Sequence, residues 1–559
     1  MRENRRKEIG VCMSLRLRSI PDIPEDTVLI AKQVFRKGNP IIQMRDVLGT
    51  VFTDDQFADL YPLNGQPAYA PWRLALVSVM QFAENLTDRQ AADAVRSRID
   101  WKYALSLALT DQGFDFSVLS EFRTRLGHHE ASERLLTALL TCLNDKGLLQ
   151  GKRQQRTDST HILSAVRDLN RLENVGETLR HALNCLATVA PTWVKGVIPQ
   201  IWIDRYAKRF ENWRFPRTLT EQKKLAEQIG EDGLQLMTWV YNTPDAYAWL
   251  RHIPAIETLR RLWVQQYWLD KGRVKQRSTK EMPPVSQAIR SPYDIEARYC
   301  SKRSTEWVGY RVHVTETCDP ACPRLITHIK TTLSTVQDCE VTTEIQQDLV
   351  EDDLKPDQHL VDAGYVDASN LAQSQHDLGI DLVGPTRPDT SWQAQETDGF
   401  DLTHFDIRWH QQQVICPAGH VNRAWIEGES QFRTPVIRVH FPEKTCMKCA
   451  LKVRCTRGVN RSITLQPQRE YEVLHRARER EKTEAFKEVY RQRAGIESSH
   501  SQLVRVTGLR QSRYIGLAKT HVQCVVAAVA INVIRSLNWL NDVPIGKTRK
   551  SPLKALMAS

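Results

Sequence analysis

Apolar and polar positions change rhythm several times along the chain. Up to about residue 150 the apolar residues recur every three to four positions, the spacing that lays a stripe along one helix face. Pro71 to Glu84 carries such a stripe. Thr87-Asp-Arg-Gln90 has the form of a capping box, opening a second helix through Arg98. A third helix is expected from about Trp101 to Leu109. After the turn Asp111-Gln-Gly113, Ser117 is placed to cap a fourth, SVLSEFRTRLGHH, with Arg123, Arg125 and His128 on its exposed face. Residues 1–150 thus read as an all-α unit. Short helices with a basic last member suit major-groove reading, and a plain bundle with a solvated basic face has the same pattern.

The rhythm then turns to that of strands. Thr157, Ser159, Thr160, His161 and Ile162 around Asp158 are rich in strand formers, giving a first strand within 151–165. From 166 to 299 the helical spacing returns, with seven of the fourteen Trp among many Arg and Lys. Buried Trp packing between helices explains this, and so does a surface for single-stranded or flipped bases. Strand patterns resume at Trp307–Thr317 and Leu325–Leu333. Leu360 and Val361 then run into Asp362 and Ala363-Gly364, so that a carboxylate ends a buried strand, and Ile380–Gly384 adds another within a core of 300–390. Ligands of open α/β sheets gather at such strand ends. In 391–461, Ile437, Val439 and Phe441 face opposite to Val436, Arg438 and His440, marking a small β insertion. From about Arg478 to Arg505 the chain is dense in Glu, Lys, Arg, Gln and Ala without Pro, the composition of one long helix. An apolar core helix closes 462–543, and 544–559 is a basic tail.

Composition narrows the classes. At 559 residues the chain exceeds one core, and its net charge of +11 favours a polyanionic partner. The start, MRENRRKEIGVCMSLRLRSI, lacks the sustained apolar core of a signal peptide. Gln523, Asn532 and Arg535 interrupt the most apolar run, Val522–Leu540, so no membrane span is expected. Twelve unevenly spread cysteines in a long chain fit a reducing cytoplasm.

Three acids stand out against this background: Asp158, Asp362 and Glu497. Tyr490, Arg493 and Glu497 are spaced i, i+3, i+7, which lines a phenol, a guanidinium and a carboxylate along one helix face. Gly495 between them is unfavourable in a helix by about 1 kcal/mol relative to Ala, tolerable where something approaches the backbone closely. Most of the 66 Asp and Glu serve as solvated surface charges, and Asp168, Asp367 and Glu351-Asp352-Asp353 are alternatives by position.

Together TDST at Asp158, VDAGY at Asp362, Tyr490-x2-Arg493-x3-Glu497 and GLRQSRYIGLAKTHVQ at 508–523 resemble the DDE transposases of bacterial insertion sequences. The resemblance extends to the helical N-terminal region and to the Cys-bearing segment before Glu497. One position departs: where the family often has Lys seven residues after the Glu, Val504 stands here, with Arg505 or Arg510 as candidate substitutes. The order of strands and helices fits a ribonuclease-H-like α/β sheet interrupted by a helical and a small β insertion. The resemblance implies Asp158, Asp362 and Glu497 as ligands of two Mg2+ or Mn2+ ions, with Tyr490 and Arg493 positioning phosphate. It further implies cleavage at element ends, strand transfer into target DNA, and a nucleoid-associated homo-oligomer on double-stranded DNA. A metal-dependent nuclease without joining activity and a non-catalytic DNA-binding regulator are the alternatives.

The β insertion adds Cys416-Pro-Ala-Gly-His420 and Cys446-x2-Cys449-x5-Cys455. The C-x2-C pair can clamp a tetrahedral structural zinc, with Cys455 and either Cys416 or His420 completing it. Unligated thiols and disulfides are the other readings.

Overall fold

The computed structural model describes residues 14–128, 131–150, 153–302, 304–431, 433–544 and 556. Residues 1–13 and nearly all of the expected basic tail, 544–559, lie outside them.

Six strands form the main sheet: β1 (Gln154–Leu163), β2 (Arg298–Lys302), β3 (Thr305–Thr317), β4 (Ile326–Leu333), β5 (Gln358–Leu360) and β6 (Asp381–Val383). The long β3 lies antiparallel beside β1, while β2 and β4 follow one another along its other edge. On the far side of β1, β5 and β6 run parallel to it. The β1–β5 ladder pairs Gln154 with Gln358, Gln155 with His359 and Arg156 with Leu360, then stops. Beyond Arg156 that edge of β1 stays unpaired until Leu163 bridges Gln511, and two residues past the last pair on each strand stand Asp158 and Asp362.

The apolar helix Leu517–Leu540 lies against β4 and against the N-terminal helices Pro71–Ala83, Ser117–His128 and Glu133–Asp145. By length and composition alone it could cross a membrane; here most of it is buried, and the three polar residues that interrupt its apolar run are partnered. Asn532 exchanges two hydrogen bonds with the backbone of Ile326, Gln523 accepts from the Arg513 amide and donates to the Gln511 carbonyl, and Arg535 binds Glu316. The N-terminal helices and the sheet consequently share one continuous core. The helices between β1 and β2 have a core of their own, holding Trp193 and Trp202 with Trp239 and Trp263 packed against it, while Trp213, Trp249 and Trp268 are exposed. A third small core, around Val439, Phe441 and Leu465, underlies the β insertion.

Several local expectations change. The third helix ends at Ala104, and Asp115, accepting from the Ser117 amide, caps the fourth in place of Ser117. Arg123 is not on an exposed face: it is buried, paired with Asp88 and stacked over the Tyr514 ring. Half-buried Arg125 lies over Tyr61 and donates to the Leu60 carbonyl, leaving only His128 of the three exposed. The expected long helix from 478 to 505 is instead three helices, Gln468–Glu481, Glu484–Arg491 and Ile496–Thr507. Thr483 caps the second by accepting from the Phe486 amide, and a 3-10 turn, Gln492–Gly495, joins it to the third.

Candidate active site

Asp158 is held where the ladder ends. Its Oδ1 accepts from the Ser159 amide at 2.8 Å, and its Oδ2 lies 2.7 Å from Arg493 Nη2. The same Arg493 nitrogen is 3.7 Å from Asp362 Oδ2, so the two aspartate oxygens are no farther apart than those two contacts combined. Asp362 is fixed in turn by the Gly364 amide, which donates to its Oδ1 at 2.8 Å. Burial pushes Asp158 up to about 6; Arg493 pulls it down and the neighbouring Asp362 charge pushes it up further. The sheet therefore places two like charges side by side, and a guanidinium from another element lies between them.

That element is built from behind. Arg156, two residues before Asp158 on the same strand face, passes under the 3-10 turn and donates to the Gln492 carbonyl. A Cβ at Gly495 would run into the Arg156 guanidinium, so the close approach expected at this glycine is made by the protein itself. Arg156 is paired with the fully buried Glu316, its cross-strand neighbour on β3, and Glu316 also binds Arg535 and Ser499. This buried cluster ties β1, β3, the Glu497 helix and the C-terminal helix together.

Glu497 stands in the first turn of its helix, exposed and without a hydrogen bond or ion pair among the described residues, near enough for its charge to act on Arg493. Tyr490 stacks on Phe486 with ring centroids 5.5 Å apart, within electrostatic reach of Arg493 and both aspartates. Arg510 is committed elsewhere, donating to Thr160 Oγ1 and the His161 carbonyl, and exposed Arg505 lines a neighbouring cleft.

Three further groups had no signal in the sequence strong enough to single them out. Asp338, after β4, is paired with Arg311, and a Cβ on Gly364 would come within 2.9 Å of an oxygen of both Asp338 and Asp362. Tyr365, fully buried, bonds His313 Nδ1 at 2.7 Å, and burial and the three nearby aspartates raise its pKa. His500, one turn after Glu497, is kept neutral by burial, its pKa lowered to about 4 and its Nε2 unpartnered. The i, i+3 spacing from Glu497 could have drawn attention to it.

Residues 415–537, which hold Glu497, match the family model described as transposase DDE domain, and residues 29–125 match that of a transposase domain. Over these two segments the chain is similar to transposases, and over 415–537 to their DDE domain. Neither match reaches Asp158 or Asp362. No curated protein and no solved structure compared with the chain matches it.

In the β insertion, Cys416, Cys446, Cys449 and Cys455 line one pocket together with His420, and all four thiols are free. Burial and the other three cysteines raise the Cys455 pKa. Among the described residues, no three His, Cys, Asp or Glu side chains stand ready-assembled around a metal position, here or at the acids.

Proposed function

We propose that this transposase cuts DNA at the ends of its element and joins them to target DNA, using Asp158, Asp362 and Glu497. The observation that carries this is the convergence at the end of the β1–β5 ladder, where Arg493, four residues before Glu497, touches both aspartates. The strand order, an antiparallel half followed by two strands parallel to the first, supports a ribonuclease-H-like core. The site fits divalent cations: its donors are hard carboxylate oxygens, and a cationic nitrogen already bridges two of them. Bound by these acids, Mg2+ or Mn2+ would activate the attacking water or 3′-hydroxyl and stabilise the leaving oxygen.

The chain's own residues do the positioning. Arg493 presents a planar fork suited to a phosphate. Tyr490, held on Phe486, offers a hydroxyl beside it. His500, neutral, keeps a second positive charge away from the carboxylates. DNA places the reaction in the nucleoid, and two ends require at least two copies of the chain.

Asp158→Asn, Asp362→Asn and Glu497→Gln should each lower cutting of a plasmid carrying the element ends by at least about 100-fold, on the order of 3 kcal/mol, with the fold intact by circular dichroism. Normal cutting by any one of them removes that residue from the site. A labelled 3′-hydroxyl end that is cut but never joined in Mg2+ or Mn2+ would leave a nuclease.

Structural zinc on Cys416, Cys446, Cys449 and Cys455 belongs to the same reading. Small rotations of half-buried thiols around one pocket can close a tetrahedral set, and a core as small as that of the insertion gains stability from such a staple. Metal analysis of the purified chain should find one zinc, lost on Cys449→Ser; a metal-free chain with four titratable thiols and unchanged melting sinks the assignment.

A further inference from the structure

One helical position round from Glu497 lies a second cleft, of about 250 Å3, that the acids do not use. Arg324, at the start of the β4 hairpin arm, Ser498, Gln502 and Arg505 on the Glu497 helix, and Arg535 and Trp539 on the C-terminal helix line it. Ser498, Gln502 and Arg505 are spaced i, i+4, i+7 and so share one face. No carboxylate is among the lining residues. Glu316, behind the cleft, is already shared by Arg156 and Arg535, which leaves Arg324 and Arg505 without an acid. The Nε of Arg324 is buried and has no acceptor, a state that is unfavourable until one arrives. Arg505 is exposed and makes no ion pair among the described residues. Trp539 keeps 37% of its surface open at the rim. A groove of unpaired guanidinium groups with an open aromatic ring is the chemistry that holds a nucleic-acid strand.

We infer that this cleft binds the backbone of the DNA strand running on from the scissile phosphate, with Arg324 and Arg505 on phosphates and Trp539 stacked against a base. Arg535, fixed by Glu316, Gln502 and Ser499, is a positioning residue that shapes the floor. The inference rests on DNA being the substrate and adds which part of it this face takes.

The test measures affinity of the full chain, without divalent metal, for a mixed-sequence DNA duplex with a single-stranded extension, across a range of salt concentrations. Arg324→Gln and Arg505→Gln should each flatten the dependence of log Kd on log salt by about 1 and weaken binding for every sequence alike. Arg505→Lys should keep the slope, and Trp539→Ala should weaken binding with the slope kept. Arg505 is exposed, so its variants fold even if Arg324→Gln does not. An unchanged slope in Arg505→Gln together with unchanged affinity in Trp539→Ala overturns the cleft, whether or not the wild-type chain cuts DNA. A flattened slope in a chain that never cuts DNA upholds the cleft and removes the catalytic reading instead.

Discussion

Asp158 is a strained charge before any substrate arrives. Its pKa of about 6 lies above the ordinary aspartate value because burial and Asp362 outweigh Arg493. The folded chain thus holds this proton more tightly than the unfolded chain, and stability is lost as pH rises from about 4 through 6, then stays lost. Asp158→Asn, which carries no charge, should make the metal-free protein more stable at pH 8 by on the order of 1–2 kcal/mol and change little near pH 4. Urea denaturation at the two pH values measures this, and a variant less stable than wild type at pH 8 refutes it. The side chains that converge here were legible: Asp158 and Asp362 stood out by their settings, and Arg493, which touches both, by its spacing from Glu497. Asp338 and Glu316 were not, since nothing within a few residues of either distinguishes it from the other charged positions; only the fold brings them to the acids, and His500 could be suspected only from its i, i+3 spacing to Glu497.

Among the elements, strands were read closely and the Glu497 helix was not. Strand character marked β3 and β4 to within two residues, and the Thr87–Gln90 box caps its helix as expected, with Gln90 answering the Thr87 amide. Composition around 478–505 favoured helix throughout, yet Thr483 and the 3-10 turn break it, because Arg156 must reach the Gln492 carbonyl from below. Gly495→Ala separates the two accounts by sign. Helix propensity alone would make it stabilising by about 1 kcal/mol. A methyl driven into a guanidinium locked on Glu316 should instead destabilise by about 1–3 kcal/mol, and displace Arg493 with a matching fall in cutting. Thermal melting beside the cleavage assay reads both, and a stabilised, active variant would restore the uninterrupted helix as the better description.

At the scale of the molecule, the N-terminal helices expected as a separate reading unit share their core with the sheet through the helix Leu517–Leu540. Hydrogen exchange in mild denaturant should find residues 71–83 and 517–540 opening together, with the helices between β1 and β2, on their own core, opening independently. Earlier opening of 71–83 alone would make the N-terminal unit a true module. Sequence distance gave no clue to this, since residues 71–83 and 517–540 lie more than 400 positions apart.

The ladder between β1 and β5 has one more consequence. Each of its pairs joins residues 204 positions apart, the same interval that separates Asp158 from Asp362. The three paired residues of this ladder, rather than the contour of the chain between them, determine how close the two carboxylates come. The long intervening excursion could be shortened or lengthened with only a slowly growing entropic penalty, and the spacing of the acids would not register the change. The protein can thus remodel what it carries beside its catalytic centre while leaving the centre's ruler untouched.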